Sequence, residues 1–93
     1  MKPIRFSRHA RLQMVLRGAT SSEVEGVVAT TAWEPARLGR YQARKAFAFN
    51  RPSPINQRVY RFKTVHVVFA EEARELVVVT VLVYYGNEEA AKR

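Results

Sequence analysis

The stretch "TVHVVFAEEARELVVVTVLVYY", Thr64 to Tyr85, decides the architecture. Two runs dominated by Val and aromatic residues flank the charged segment "EEAR". β-Branched and aromatic side chains suit a pleated surface, so the pair reads as two long antiparallel strands joined by a turn. The longer run, Leu76–Tyr85, falls far short of the ~20 residues that a membrane-spanning helix needs. Successive side chains of a strand point to opposite sides. Strict alternation therefore sets Val77, Val79, Val81, Val83 and Tyr85 on a core face, with Leu76, Val78, Thr80, Leu82 and Tyr84 behind them. In the preceding strand Val65, Val67 and Phe69 match the core face, and Thr64, His66 and Val68 the opposite one.

Upstream, "RPSPINQ" is a loop, because two prolines in three residues do not fit a sheet interior. "RYQARKAFAFN" is a further strand, and "WEPARLG" a turn or short strand broken by Pro35 and Gly39. Two helices come before these. "FSRHARLQMVLRG" starts at the N-cap Ser7 and stops at Gly18, which tolerates the left-handed conformation that closes a helix. "TSSE" is a capping box, Thr20 with Glu23, that opens a second helix through Val24, Val27 and Val28. Pro3–Phe6 is a short first strand, and Trp33 a core anchor. The fold expected is α+β, with two N-terminal helices packed on one face of a twisted antiparallel sheet. A single domain over residues 1–93 is expected, with 86–93 as a frayed tail. Helices on one side leave the other face of the sheet open, with Thr64, His66, Thr80 and Tyr84 on it.

Composition narrows the partners. Sixteen Lys and Arg oppose eight acids, and every acid is Glu. The imbalance is uneven: residues 1–63 hold thirteen cations and three acids, while residues 64–93 hold three and five. Twelve of the cations are Arg, whose planar fork suits phosphate. Such a balance points to a polyanion, either nucleic acid or a very acidic protein. With no cysteine there are no disulfides or thiolate metal sites, and a cytoplasmic setting is expected. The polar N-terminus does not resemble a signal peptide.

The helix motifs "HARLQMVLRG" and "ATSSEVEGVV", followed by the closing hairpin, resemble the RelE/ParE toxin superfamily. The likeness is nearest to its small BrnT-like and uncharacterised branches, and it runs from Phe6 to about Tyr85. In that pattern, "HAxxRMxxRG", Gln13 stands where Arg is usual, so one phosphate contact is not carried over. The resemblance implies a compact toxin, often an endoribonuclease, neutralised by an antitoxin. Some members of the superfamily inhibit DNA gyrase instead, and a nucleic-acid- or partner-binding module without catalysis is a third possibility.

RNA cleavage through the 2′-hydroxyl requires a base, an acid and cations against the phosphate. The two histidines, His9 and His66, compete for the role of base. His9 shares a helix face with Leu12, Gln13 and Leu16, which would turn it inward, where a structural histidine is the equal alternative. Tyr84 or Thr80 can supply the acid, and Arg17 the charge, with Arg44 or Lys45. Arg8, Arg11, Arg40, Arg44 and Lys45 form the expected phosphate-binding set, and Tyr60 a stacking platform for a base. No metal or cofactor is called for, since Asp is absent and no His-rich or Cys-rich cluster occurs. An acidic antitoxin is expected to cover Arg17 and Arg44 and to add a strand at a sheet edge.

Overall fold

A computed structural model describes residues 1–88. Strand β1 (Ile4–Phe6) leads into helices α1 (Arg8–Arg17) and α2 (Ser21–Thr30). The two-residue strand β2 (Glu34–Pro35) and a 3₁₀ turn (Arg37–Gly39) precede three long strands, β3 (Tyr41–Pro52), β4 (Val59–Glu71) and β5 (Leu76–Gly86). The five strands make one sheet in the order β1-β5-β4-β3-β2.

The two helix starts form as their capping residues dictate. The Ser7 Oγ accepts from the N–H of Ala10 at 3.0 Å. Thr20 and Glu23 each satisfy the other's backbone N–H, at 3.1 and 2.9 Å. Gly18 ends α1 at φ +84, and a Cβ there would lie 2.8 Å from the Tyr85 hydroxyl and 2.9 Å from Pro54. Both helices pack on the sheet face that carries Val65, Val67, Phe69, Val81 and Val83, contributing Ala10, Met14, Val24, Val27 and Val28 to one core. Trp33 closes its end, edge-on to Phe69 at 4.8 Å, with its indole N–H donated to the Val28 carbonyl at 2.9 Å.

Three expectations need correction. The sheet is mixed, because β1 runs parallel to β5 through the pairs Ile4–Leu76 and Phe6–Val78. A three-residue strand carries no signal for its partner. Here it is fixed by the chain's return and by backbone bonds, from the Leu76 N–H to the Pro3 carbonyl and from the Ser7 N–H to the Val78 carbonyl, both at 2.9 Å, with the exposed ion pairs Arg5–Glu75 and Lys2–Glu71 beside them. Second, strict alternation in β5 fails. Val68 pairs with Thr80 but Phe69 pairs with Val78, so Val79 is an extra residue, a β-bulge. Before the bulge the core positions are Leu76 and Val78, and after it Val81 and Val83, as alternation requires. Third, the strand runs through Gly86, paired with Phe62, and the Asn87 side chain accepts from the Arg61 N–H at 3.1 Å. The expected fraying therefore does not begin at 86, and residues 89–93 lie outside the described residues. No helix among the described residues is long and apolar enough to cross a membrane.

Candidate functional site

Helix α1 lies along the edge of β5 that β1 leaves uncovered. β1 pairs only with Leu76–Val78. Beyond it, the Ser7 hydroxyl donates to the Val79 carbonyl at 3.4 Å, and the Gln13 side chain accepts from the Val81 N–H at 2.8 Å. The Tyr85 hydroxyl then donates to the Arg17 carbonyl at 2.6 Å. A strand edge left bare is an aggregation hazard, and a covering helix removes it. This gives Gln13 its role: its amide oxygen satisfies an edge N–H. Strand addition to β5 is blocked. The edge still open belongs to β3 beyond Gln42, because β2 pairs only with Tyr41 and Gln42.

Over an edge, a helix meets the sheet through a narrow contact. Only Ala10 and Met14 of α1 are buried. Leu12, Val15 and Leu16 are 57%, 80% and 62% exposed. His9 was expected on the inward face with Leu12, Gln13 and Leu16; of the four only Gln13 turns to the sheet, and His9 is exposed on the outer side. Arg8 and Arg11 are exposed as well, with the Arg11 guanidinium over the Phe6 ring at 5.4 Å.

The corner between the helices is held by Lys63, whose side chain is 3% exposed. Its ammonium donates to the Gly18 carbonyl and to the Glu23 carboxylate, both at 2.8 Å. Glu23 thus serves the capping box and the buried cation together. Lys45 is also on the helix side, 3.0 Å from the Thr30 hydroxyl. Its neighbour Arg44 points the other way, so the two cations expected to act together are divided by the sheet.

Across the open face the register forms rows. Arg44, His66 and Leu82 share one, Gln42, Val68 and Thr80 the next, and Ala46, Thr64 and Tyr84 a third. Thr64 is buried between its neighbours and Thr80 is half-buried. His66 lines two adjoining depressions, one with Glu34, Gln42 and Arg44, the other with Arg37, Arg40, Gln42 and Leu82. The second has a volume of about 620 Å³. Its rim is shaped by the 3₁₀ turn, in which Leu38 (φ +60) and Gly39 (φ +71) both adopt left-handed backbone. Arg37, which opens that turn, and Arg40, which follows it, reach the same depression.

His66 Nε2 lies 2.9 Å from the Gln42 amide oxygen. The Gln42 amide nitrogen donates to the Pro35 carbonyl at 3.4 Å, which orients the amide and leaves its oxygen for the histidine. Nε2 then carries the hydrogen and Nδ1 holds the free lone pair. Burial pushes the His66 pKa below its ordinary value and the Arg44 charge lowers it further, while Glu34 opposes them. The imidazole is therefore neutral at cellular pH, the state in which it accepts a proton. Among the described residues, no three His, Cys, Asp or Glu side chains come together in a way that could hold a metal ion.

Of the sequence-derived candidates, His66, Arg40 and Arg44 come together here. Arg17, Tyr60 and Tyr84 gather in a separate groove at the far end of β5, beside Asn56, whose amide donates to the Tyr60 hydroxyl at 2.9 Å. His9, Arg8 and Arg11 belong to neither, and Thr80 lies one row from His66. Gln42, Glu34 and Arg37 were not anticipated. Gln42 was legible only as a neighbour of Arg44 at strand spacing, and Glu34 and Arg37 only as the charged flanks of a Pro/Gly turn.

No family model, curated protein or solved structure matches the chain. The likeness to RelE/ParE toxins rests on the helix motif and the strand pattern of the sequence.

Proposed function

We propose that the protein is an endoribonuclease of the toxin type that binds RNA across its open sheet face and cleaves it by acid/base chemistry at His66. One observation carries this: a neutral imidazole, held in a single tautomer by Gln42, stands among Arg37, Arg40 and Arg44. His66 Nδ1 takes the proton of a ribose 2′-hydroxyl. The oxygen attacks the adjacent phosphorus, the bond to the 5′-oxygen breaks, and a 2′,3′-cyclic phosphate forms. The 5′-oxygen leaves with a proton drawn from solvent, which reaches the open face. The arginines take up the negative charge that grows on the phosphoryl oxygens, a role in which fixed cations are most effective. As a toxin it would be held at rest by an acidic antitoxin over Arg44, the cation nearest His66 in the register.

Purified protein should cleave single-stranded RNA oligonucleotides in EDTA and leave cyclic phosphate ends. His66→Gln should reduce the rate by about 10²–10⁴-fold, the range typical of a lost general base. The rate should rise with pH through an inflection below 6.5 that the variant lacks. Intact RNA with both proteins, or equal cleavage by wild type and variant, would overturn the assignment. Growth arrest with intact RNA and relaxed DNA would replace it with gyrase inhibition.

A further inference from the structure

We infer that the outer face of α1 is a docking surface for an acidic amphipathic helix of a partner chain. Leu12, Val15 and Leu16 stand at i, i+3 and i+4, the spacing that makes one continuous stripe on a helix. All three are more than half exposed, although Ala10 and Met14 on the inner side of the same helix are buried. Single exposed apolar residues are ordinary, but three contiguous ones on a rigid, doubly capped helix make a patch. The helix beneath is firmly seated, because Ser7, Gln13 and Arg17 are each bonded to β5. Rearrangement of α1 to bury the stripe would break these bonds.

Charge selects the occupant. α1, "RHARLQMVLR", contains no acid. Arg8 precedes Leu12 by one turn, Arg11 precedes Val15 by one turn, and both are exposed on the outer side with His9. A second copy docked stripe to stripe would bring two such sets of cations together with no counter-charge on either helix. An interfacial membrane anchor is strongly amphipathic, with Trp, Phe and Leu along its apolar face, whereas α1 exposes only Leu12, Val15 and Leu16 and no aromatic ring. A strand would find no free backbone groups on a helix to pair with. A helix with an apolar stripe bordered by Glu or Asp satisfies both features, with packing from its stripe and ion pairs at its rims. This inference does not rest on RNA cleavage, since the stripe is on the helix side of the sheet and His66 on the other.

The test uses the ¹⁵N-labelled full chain and two synthetic peptides of about 20 residues, a length at which helix formation on binding is feasible. Each peptide has Leu at helical spacing; one has Glu at the flanking positions and the other Lys. The Glu peptide should shift the amide resonances of residues 8–17. Its affinity should fall about tenfold or more in the Leu12→Ser/Leu16→Ser double variant. It should also fall severalfold as salt rises from about 50 to about 500 mM, where surface charge is screened. RNA cleavage by the double variant should equal that of wild type. No binding, equal binding of the Lys peptide, or shifts confined to the face of Arg44 and His66 would overturn the inference. So would self-association or capture by anionic vesicles that the double variant abolishes, because the stripe would then serve a second copy or a lipid surface.

Discussion

Helices α1 and α2 are each ten residues long, each is capped by a hydroxyl side chain, and each lies on the same sheet face, yet they use their apolar residues in opposite ways. α2 sits over β3 and β4, in the middle of the sheet, and buries Val24, Val27 and Val28. α1 sits over β5 at the edge, buries Ala10 and Met14, and leaves Leu12, Val15 and Leu16 in solvent. A helix over the centre finds sheet on both sides of its contact line, whereas one over an edge finds it on only one. The residues of α2 are therefore spent on the fold. Three of the five apolar residues of α1, Leu12, Val15 and Leu16, are free for something outside it.

The contrast can be broken most forcefully at the corner that joins the two helices. Lys63→Met removes the cation that holds the Gly18 carbonyl and the Glu23 carboxylate, and leaves that carboxylate, mostly buried, without its partner. Loss of one member of a buried pair should cost about 3–5 kcal/mol in urea unfolding. A cost under about 0.5 kcal/mol would mean that the corner is not what seats α1 beside α2.

Gly18→Ala should come next, at about 1–3 kcal/mol, because a side chain is placed in left-handed backbone and against Tyr85 and Pro54. Combined with Tyr85→Phe, the loss should be smaller than the sum of the two single changes, since both disturb the same contact.

A smaller effect should appear on acidification, on the other face of the sheet. The folded protein holds the His66 pKa below its unfolded value of about 6.5. Between those two pKa values the unfolded chain binds more protons, so stability rises with pH through that window. The contribution is present above about pH 6.5 and is lost as pH falls toward the folded pKa. His66→Gln should flatten this part of a plot of unfolding free energy against pH while leaving the corner intact.

The smallest effect sharpens the comparison most. Leu12→Ser and Leu16→Ser together should change thermal stability by no more than about 0.5 kcal/mol, as exposed positions do. Met14→Ala, on the inner side of the same helix, should cost about 2–5 kcal/mol. If the outer pair proves as costly as Met14, the stripe belongs to the core, and the docking surface falls with it.

The sequence by itself determined the local pieces of this protein, because each is set by neighbours in the chain. Ser7, Thr20, Glu23 and Gly18 mark where the helices begin and end through hydrogen bonds that span three or four residues. The Val-rich runs mark β4 and β5, and the alternation in β4 correctly sent His66 to the face opposite Val65 and Val67. Long-range pairing decided the rest. The bulge at Val79 exists only because Phe69 and Val68 choose partners one residue out of step, and it turns Leu76 and Val78 rather than Val77 and Val79 toward the core. Periodicity grouped His9, Leu12 and Leu16 on one face of α1, but whether that face meets sheet or water depends on where the helix lies. The surroundings of His66 were equally hidden, since Gln42, Glu34 and Arg37 reach it across three strands and a turn. Hydrogen bonds within a turn of helix are encoded locally. Contact between residues twenty-four positions apart, as between Gln42 and His66, arises only when the sheet forms.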